Sequence, residues 1–319
     1  MKIPPPDPRT TTVHLRRDLI DLNWSDRAIA RMVSSGQWVR IRHGAYCDAF
    51  EWRHLDAPGR HLVTTRAVLK QAKTELAVSH VSALPWYDAP LWNLDLDDVN
   101  VTRTDGRIGR HEAGVHQHCG QLIDTDTVDH GGVVVTSPTR TLLEVTTQAG
   151  VEESLVVANH LLHANLTTLE QVESRYRDHT CSMNHWPRTL ATDLVVLLAR
   201  PKVESVGESR TFFLLWSQHL PLPEVQYDIT DEHGRVIHTV DFAWPELGVF
   251  LELDGKVKYE KYLRPGQRAS DVVVREKRRE ERICRLTGWR CIRLIWADLQ
   301  RPRQTADQIR LFLYAARTS

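Results

Sequence analysis

A chain of 319 residues, 41% apolar and 26% charged, has the composition of an ordinary globular protein and the length of two or three domains. Lys plus Arg equal Asp plus Glu at 41 each, so net charge argues neither for nor against nucleic acid, and any basic surface has to be local. No apolar run approaches the roughly 18 residues of a membrane span, and the five cysteines are scattered without a C-x-x-C pair, which disfavours a disulfide framework or a structural zinc site and points to a reduced, cytoplasmic protein.

Met1 to Thr10 is proline-rich and lacks the apolar stretch of a signal peptide. Thr12 to Asp21 reads as a short helix with Val13, Leu15, Leu19, Ile20 and Leu22 on its apolar side, broken at Asn23-Trp24. Ser25 reads as the N-cap of a second helix carrying Ala28, Ile29, Met32 and Val33, closed by Gly36. Trp38 to Tyr46 then alternates: Val39 and Ile41 point one way, Arg40 and Arg42 the other, and Gly44 supplies a turn. Two helices and a small basic hairpin describe a winged helix-turn-helix.

The middle of the chain predicts a helix over residues 61–73 and another from Ser79 to Ala83 that closes at Pro85. Short strands follow at Asp98 to Thr102, Val115 to His118 and Val133 to Thr136. Ser137 and Pro138 form an N-cap and first-turn pair leading into helices at Thr141 to Ala149, Glu152 to Leu162, Leu169 to Arg177 and Pro187 to Leu198. His80, His116, His118 and Cys119 could suggest a metal, but His-x-His-Cys without matching partners is a weak signal. From Pro201 the order is a helix at Gly207 to His219, a hairpin of Val225 to Thr230 and Val236 to Ala243, and a buried strand at Val249 to Leu253. A charged helix at Asp271 to Leu286, a strand at Arg290 to Ile295 and a closing helix at Arg303 to Arg317 complete it.

The chemistry-bearing residues of this last segment are Glu208, Asp241, Glu252 and Asp254, with Lys256 and Lys258 just beyond. Asp241 ends an alternating strand. Glu252 and Asp254 are two apart on the next strand, so they share a face opposite Leu251 and Leu253. Two carboxylates on one face cost desolvation and mutual repulsion unless they serve a ligand such as Mg²⁺, which takes a few hard oxygen ligands and activates water for phosphodiester hydrolysis. The plainer reading is a turn start at Asp254-Gly255 with Glu252 on the rim.

The stretch VDFAWPELGVFLELDGKVKYEKYLRPGQRASDVVVREKRREERICRLTGWRCIRLIWADL resembles the domain shared with very-short-patch-repair-like endonucleases, relatives of the PD-(D/E)XK class. The resemblance implies a Mg²⁺-dependent endonuclease site with Asp241, Glu252, Asp254 and Glu208 holding metal, and Asp241, Glu252, Lys256 and Lys258 catalytic. The signature lysine would stand where Asp254 is, so its role is vacant, shifted, or taken by Lys256, Lys258 or Lys277. The basic helix and following strand (Arg275, Lys277, Arg278, Arg279, Arg282, Arg285, Arg290, Arg293) suit a phosphate backbone or, equally, a solvated helix laced with i,i+4 pairs.

SDRAIARMVSSGQWVRIRHGAY resembles the winged helix at the start of AbiEi-type antitoxins of the type IV toxin–antitoxin class, and AVSHVSALPWYDAPLW and VVVTSPTRTLLEV resemble the region that follows it there. DNA binding is the expected role. Arg27 and Arg31, one helical turn apart, could meet one groove, and Arg40 and Arg42 could meet phosphates, as could Lys277, Arg278 and Arg282. The fold class expected is α/β, a multi-domain α+β chain: a winged helix-turn-helix over 1–55, an α+β middle domain over 56–200, and a PD-(D/E)XK nuclease-like domain over 201–319 whose mixed sheet is flanked by helices. The two readings carried forward are a nucleic-acid-binding protein with an endonuclease-like C-terminus, and a non-catalytic antitoxin and autorepressor using that fold only for binding. The resemblance implies a cognate toxin as partner and admits a homodimer; no membrane association is expected.

Overall fold

A computed structural model describes residues 6–105, 107–178, 186, 189–254 and 279–314. Among the described residues the fold is a mixed α+β arrangement with three sheets, and the chain divides into two compact units: one of residues up to Val157 with Leu166–Val196, the other of Ala158–Asn165 with the chain from Leu197 onward. Among the described residues no helix is long and apolar enough to cross a membrane.

The first unit opens with β1 (His14–Leu15), α1 (Arg16–Asp21), α2 (Asp26–Ser34), β2 (Trp38–Arg42) and β3 (Ala45–Asp48), the strands ordered β1-β3-β2 and all antiparallel. The first predicted helix is therefore half strand. Val13 and Leu15 alternate about half-exposed His14 into the core, and α1 begins only at Arg16. α3 (Ala49–His54) and α4 (Ala57–Gln71) follow, each started by an aspartate cap: Asp48 accepts from the amides of Phe50 and Glu51, Asp56 from that of Gly59. One apolar cluster joins Val13, Leu15 and Ala45 to Leu55, Val63 and Ala67, so α4 shares its core with the winged helix.

Next comes a six-stranded mixed sheet of β4 (Leu76–Val78), β5 (Val99–Arg103), β6 (His111–Glu112), β7 (Val115–Cys119), β8 (Thr127–Asp129) and β9 (Val134–Thr136), ordered β6-β7-β5-β4-β9-β8. The pairs β5–β7 and β4–β9 are parallel, the others antiparallel. The helix expected to close at Pro85 is a 3-10 segment, His80–Tyr87, that runs through that proline. α5 (Pro138–Gln148) starts as read, with Ser137 accepting from the amide of Arg140. α6 (Val151–His163), α7 (Leu169–Arg177) and α8 (Thr189–Leu198) follow.

The second unit is built on α9 (Val206–Ser217) and a sheet of β10 (Glu224–Thr230), β11 (Val236–Trp244), β12 (Val249–Asp254) and β13 (Arg290–Ile295), with α10 (Pro302–Tyr314) last. The first three strands are an antiparallel meander, and β13 joins β12 in parallel. α9 approaches β12 so closely that a Cβ on Gly207 would clash with the Leu253 side chain. A helical stretch over 279–287 covers the other side, where Ile283 packs with Phe250, Val240, Ala243 and Ile229.

Candidate nucleic-acid interface

The winged helix combines a capped helix with an exposed face where a partner could dock. Ser25 accepts from the amide of Ala28 at 3.2 Å, capping α2. Asp26, in the first turn, receives two bonds of 2.7 Å from Arg16 on α1, which fixes the angle between the helices. This fork-to-carboxylate clamp was not foreseen; an acidic residue one place after a cap, with an arginine on the preceding helix, is the signal that could have found it. Only Ile29 of α2 is buried. Arg27, Ala30, Arg31 and Ser34 are all exposed and, at spacings of three and four, form one stripe along the helix. The strands behind α2 are braced by stacked rings, with Trp38 against Trp24 at 5.2 Å and against His14 at 4.6 Å.

The wing turns at Gly44, whose φ of +69° is a left-handed conformation suited to glycine. Arg40 is exposed, opposite Tyr46. Arg42 departs from the expected alternation. The register slips between Arg40 and Arg42, a bulge that lets half-buried Ile41 pack on the core and carries Arg42 off the solvent face. Its Nε is buried with no hydrogen-bond partner, and burial lowers the pKa of the guanidinium.

Behind the winged helix the two middle motifs meet. The Glu144 carboxylate accepts from the His80 amide at 3.0 Å, from Thr136 Oγ1 at 3.2 Å and from Arg140 Nε at 2.8 Å. Asp126 lies 3.3 Å from Arg140 and takes a two-pronged bond from Arg175 at 2.7 Å. All four charged residues are buried, so AVSHVSAL and TSPTRTLLE are joined through a closed ion network. Four imidazoles stack on its flank. His80 and His118 are 3.7 Å apart, His118 and His116 3.8 Å, His116 and His111 5.1 Å. Ring faces, rather than nitrogen lone pairs, meet in this stack, and among the described residues no three His, Cys, Asp or Glu side chains group as metal ligands. Burial, then Arg140 and His116, lowers the His80 pKa to about 3; burial, then His80 and His116, lowers that of His118 to about 2.

In the second unit each of the four carboxylates has a partner within the chain. Glu208, 4% exposed, accepts from Ser205 Oγ at 2.6 Å, from the Glu204 amide at 3.1 Å and from Gln226 at 2.9 Å, the work of a helix-start acid. Asp241 accepts from the Leu253 amide at 2.9 Å. Glu252 pairs with Arg279, and Asp254 lies 3.7 Å from Arg293. Among the described residues these carboxylates are not grouped in threes as a metal site. Arg282 is exposed; Lys256, Lys258, Lys277 and Arg278 lie outside the described residues. Cys47, Cys119, Cys284 and Cys291 are free thiols, and Cys181 is outside the described residues.

Residues 15–47 match the family model described as "Transcriptional regulator, AbiEi antitoxin", a span that runs from β1 through the wing. Two Mycobacterium tuberculosis proteins are similar over 204 residues at 27% identity, covering 64% of this chain and 69% of theirs. They are the uncharacterized protein MT2308 of strain CDC 1551 / Oshkosh and the uncharacterized protein Rv2248 of strain H37Rv.

Proposed function

We propose that the chain is a DNA-binding transcriptional regulator of the AbiEi antitoxin type. The observation that carries this is the stripe Arg27, Ala30, Arg31, Ser34: an exposed, capped helix face with two arginines and no buried duty, in the segment that matches the regulator family. In this reading α2 lies in the major groove, Arg27 and Arg31 reach base edges or flanking phosphates, and Arg40 steadies the wing on the backbone. The natural target is DNA upstream of its own coding sequence, and the natural protein partner is a cognate toxin; a homodimer would match a two-fold operator. A gel-shift assay with that upstream duplex and an unrelated duplex tests the reading. A retarded band at lower protein concentration for the upstream duplex supports it, and equal or absent retardation refutes it.

Endonuclease action by the second unit is the other reading. It is favoured by one observation: Asp241, Glu252 and Asp254 come from adjacent strands, and Asp241 bonds the amide between the other two. Against it stand the arginines paired to Glu252 and Asp254 and the capping duty of Glu208. We therefore assign the second unit a binding role. Incubation with single- and double-stranded DNA and Mg²⁺ or Mn²⁺, beside an Asp241→Ala, Glu252→Ala variant, should give no metal-dependent products; products lost in the variant would restore the hydrolase.

A further inference from the structure

The first unit contains a cleft of about 400 Å³ that the proposed DNA contact does not use. It lies where the end of the wing strand β2 meets the C-terminal end of α4 and the strands β5 and β7. Arg42, Lys73, Arg103 and Arg110 line it, with Glu112 as the one lining carboxylate. Its volume is in the lower part of the ~300–1,000 Å³ range of small-molecule sites. Two of the cations have acidic neighbours: Arg103 is held by Asp105, and Arg110 lies 3.6 Å from Glu112. Arg42 Nε is buried and has no hydrogen-bond partner. Burying a charged donor without an acceptor is costly, and neither Glu112 nor the terminal carbonyls of α4 reaches it. Gln71, also in the lining, donates to the His43 carbonyl at the wing turn at 2.8 Å, so the cleft wall and the wing are one hydrogen-bonded piece.

We propose that this cleft binds a phosphoryl anion, with Arg42 as its central donor and Lys73, Arg103 and Arg110 around it. The Arg42 guanidinium lines the cleft among three further cations, and a planar guanidinium is suited to a tetrahedral oxyanion. The anion would tie the end of β2 to β7 and α4, so occupancy would fix the wing that carries Arg40. The phosphate could belong to a free small molecule, for which the cleft's volume of about 400 Å³ has room, or to the DNA backbone passing the wing. The site itself rests on the cleft alone; its effect on the wing rests on the DNA-binding reading.

Isothermal titration of the full chain with pyrophosphate and with ADP, beside duplex-binding measurements on the same preparations, tests the proposal. The variants are Arg42→Gln, Arg110→Gln and, as a control outside the cleft, Arg27→Gln. Saturable pyrophosphate or ADP binding, weakened at least tenfold in R42Q, weakened severalfold in R110Q and unchanged in R27Q, supports a free ligand. No binding of either probe, with R42Q losing duplex affinity and about one unit of salt slope, supports the anion site with DNA as the source. Pyrophosphate binding that R42Q and R110Q leave intact overturns the proposal, as does the absence of any effect on either probe or duplex. Should R42Q fail to fold by circular dichroism, R110Q and Lys73→Gln on the cleft wall decide by the same criteria. R27Q reports separately on α2, so failure of the DNA reading leaves a distinct pattern: R27Q without effect on duplex while the R42Q result stands.

Discussion

Acidification should destabilise the first unit steeply, and the stacked histidines set the size of the effect. His80 and His118 are protonated only near pH 3 and 2 in the folded chain, because burial and each other's neighbours disfavour the imidazolium. In the unfolded chain both titrate near the ordinary value of about 6.5. Below that pH the unfolded state binds protons that the folded state refuses, so stability present above pH 6.5 is lost as pH falls toward 3. At pH 5 each histidine has cost about 2 kcal/mol, and the pair about 4 kcal/mol, against a total stability of roughly 5–15 kcal/mol for a typical domain. The charged groups facing the pair are Arg140, which opposes protonation of His80, and Glu144, which favours that of His118; burial outweighs the latter. Urea unfolding at pH 7.5 and 5.0, followed by circular dichroism, measures the loss. A His80→Asn, His118→Gln variant should be less stable at pH 7.5 yet much less pH-sensitive, since Asn tolerates the left-handed φ of +53° at position 80. A wild-type stability that changes by less than about 1 kcal/mol between the two pH values, or a variant that falls as steeply as wild type, would refute the reasoning.

Further outcomes follow from other contacts. Ser25→Ala removes the α2 cap and should lower stability by about 1 kcal/mol, read as a shift in the urea midpoint, with Ser25→Gly milder. Glu144→Ala leaves Arg140 buried beside a vacated partner and unties the His80 amide; a loss of about 3–5 kcal/mol is expected in the same assay, enough to lower the yield of soluble protein. Glu208→Gln keeps the shape of the helix-start contact, so it should cost about 1 kcal/mol of stability and, in a metal-binding titration with Mg²⁺, change nothing.

The sequence made some of this legible and concealed the rest for identifiable reasons. Ser25 and Ser137 announced their helices because a cap is a local event, settled within four residues. The helix drawn through Val13 and Leu15 failed because, over so short a run, apolar residues at spacings of two and four fit a strand as well as a helix; pairing of His14 with Tyr46 and Leu15 with Ala45 decided it. Arg42 was misplaced by a bulge, which inserts one residue and leaves no compositional mark. The helix-start contact of Glu208 with Ser205, three residues before it, is legible in the sequence as a capping pattern beside the metal expectation. The His80–Glu144 link joins residues 64 apart, beyond any local periodicity. The mixed α+β class, by contrast, followed from the succession of short alternating runs and amphipathic helices.

The most direct test of the regulator assignment is the salt dependence of duplex affinity for wild type and an Arg27→Ala, Arg31→Ala variant, by fluorescence anisotropy on upstream and scrambled DNA. The account expects the variant to lose about 1–3 kcal/mol per arginine that reads a base, and about one unit of salt slope per arginine that meets a phosphate, with the preference for upstream DNA reduced. Unaltered affinity, slope and preference in a folded variant would contradict it.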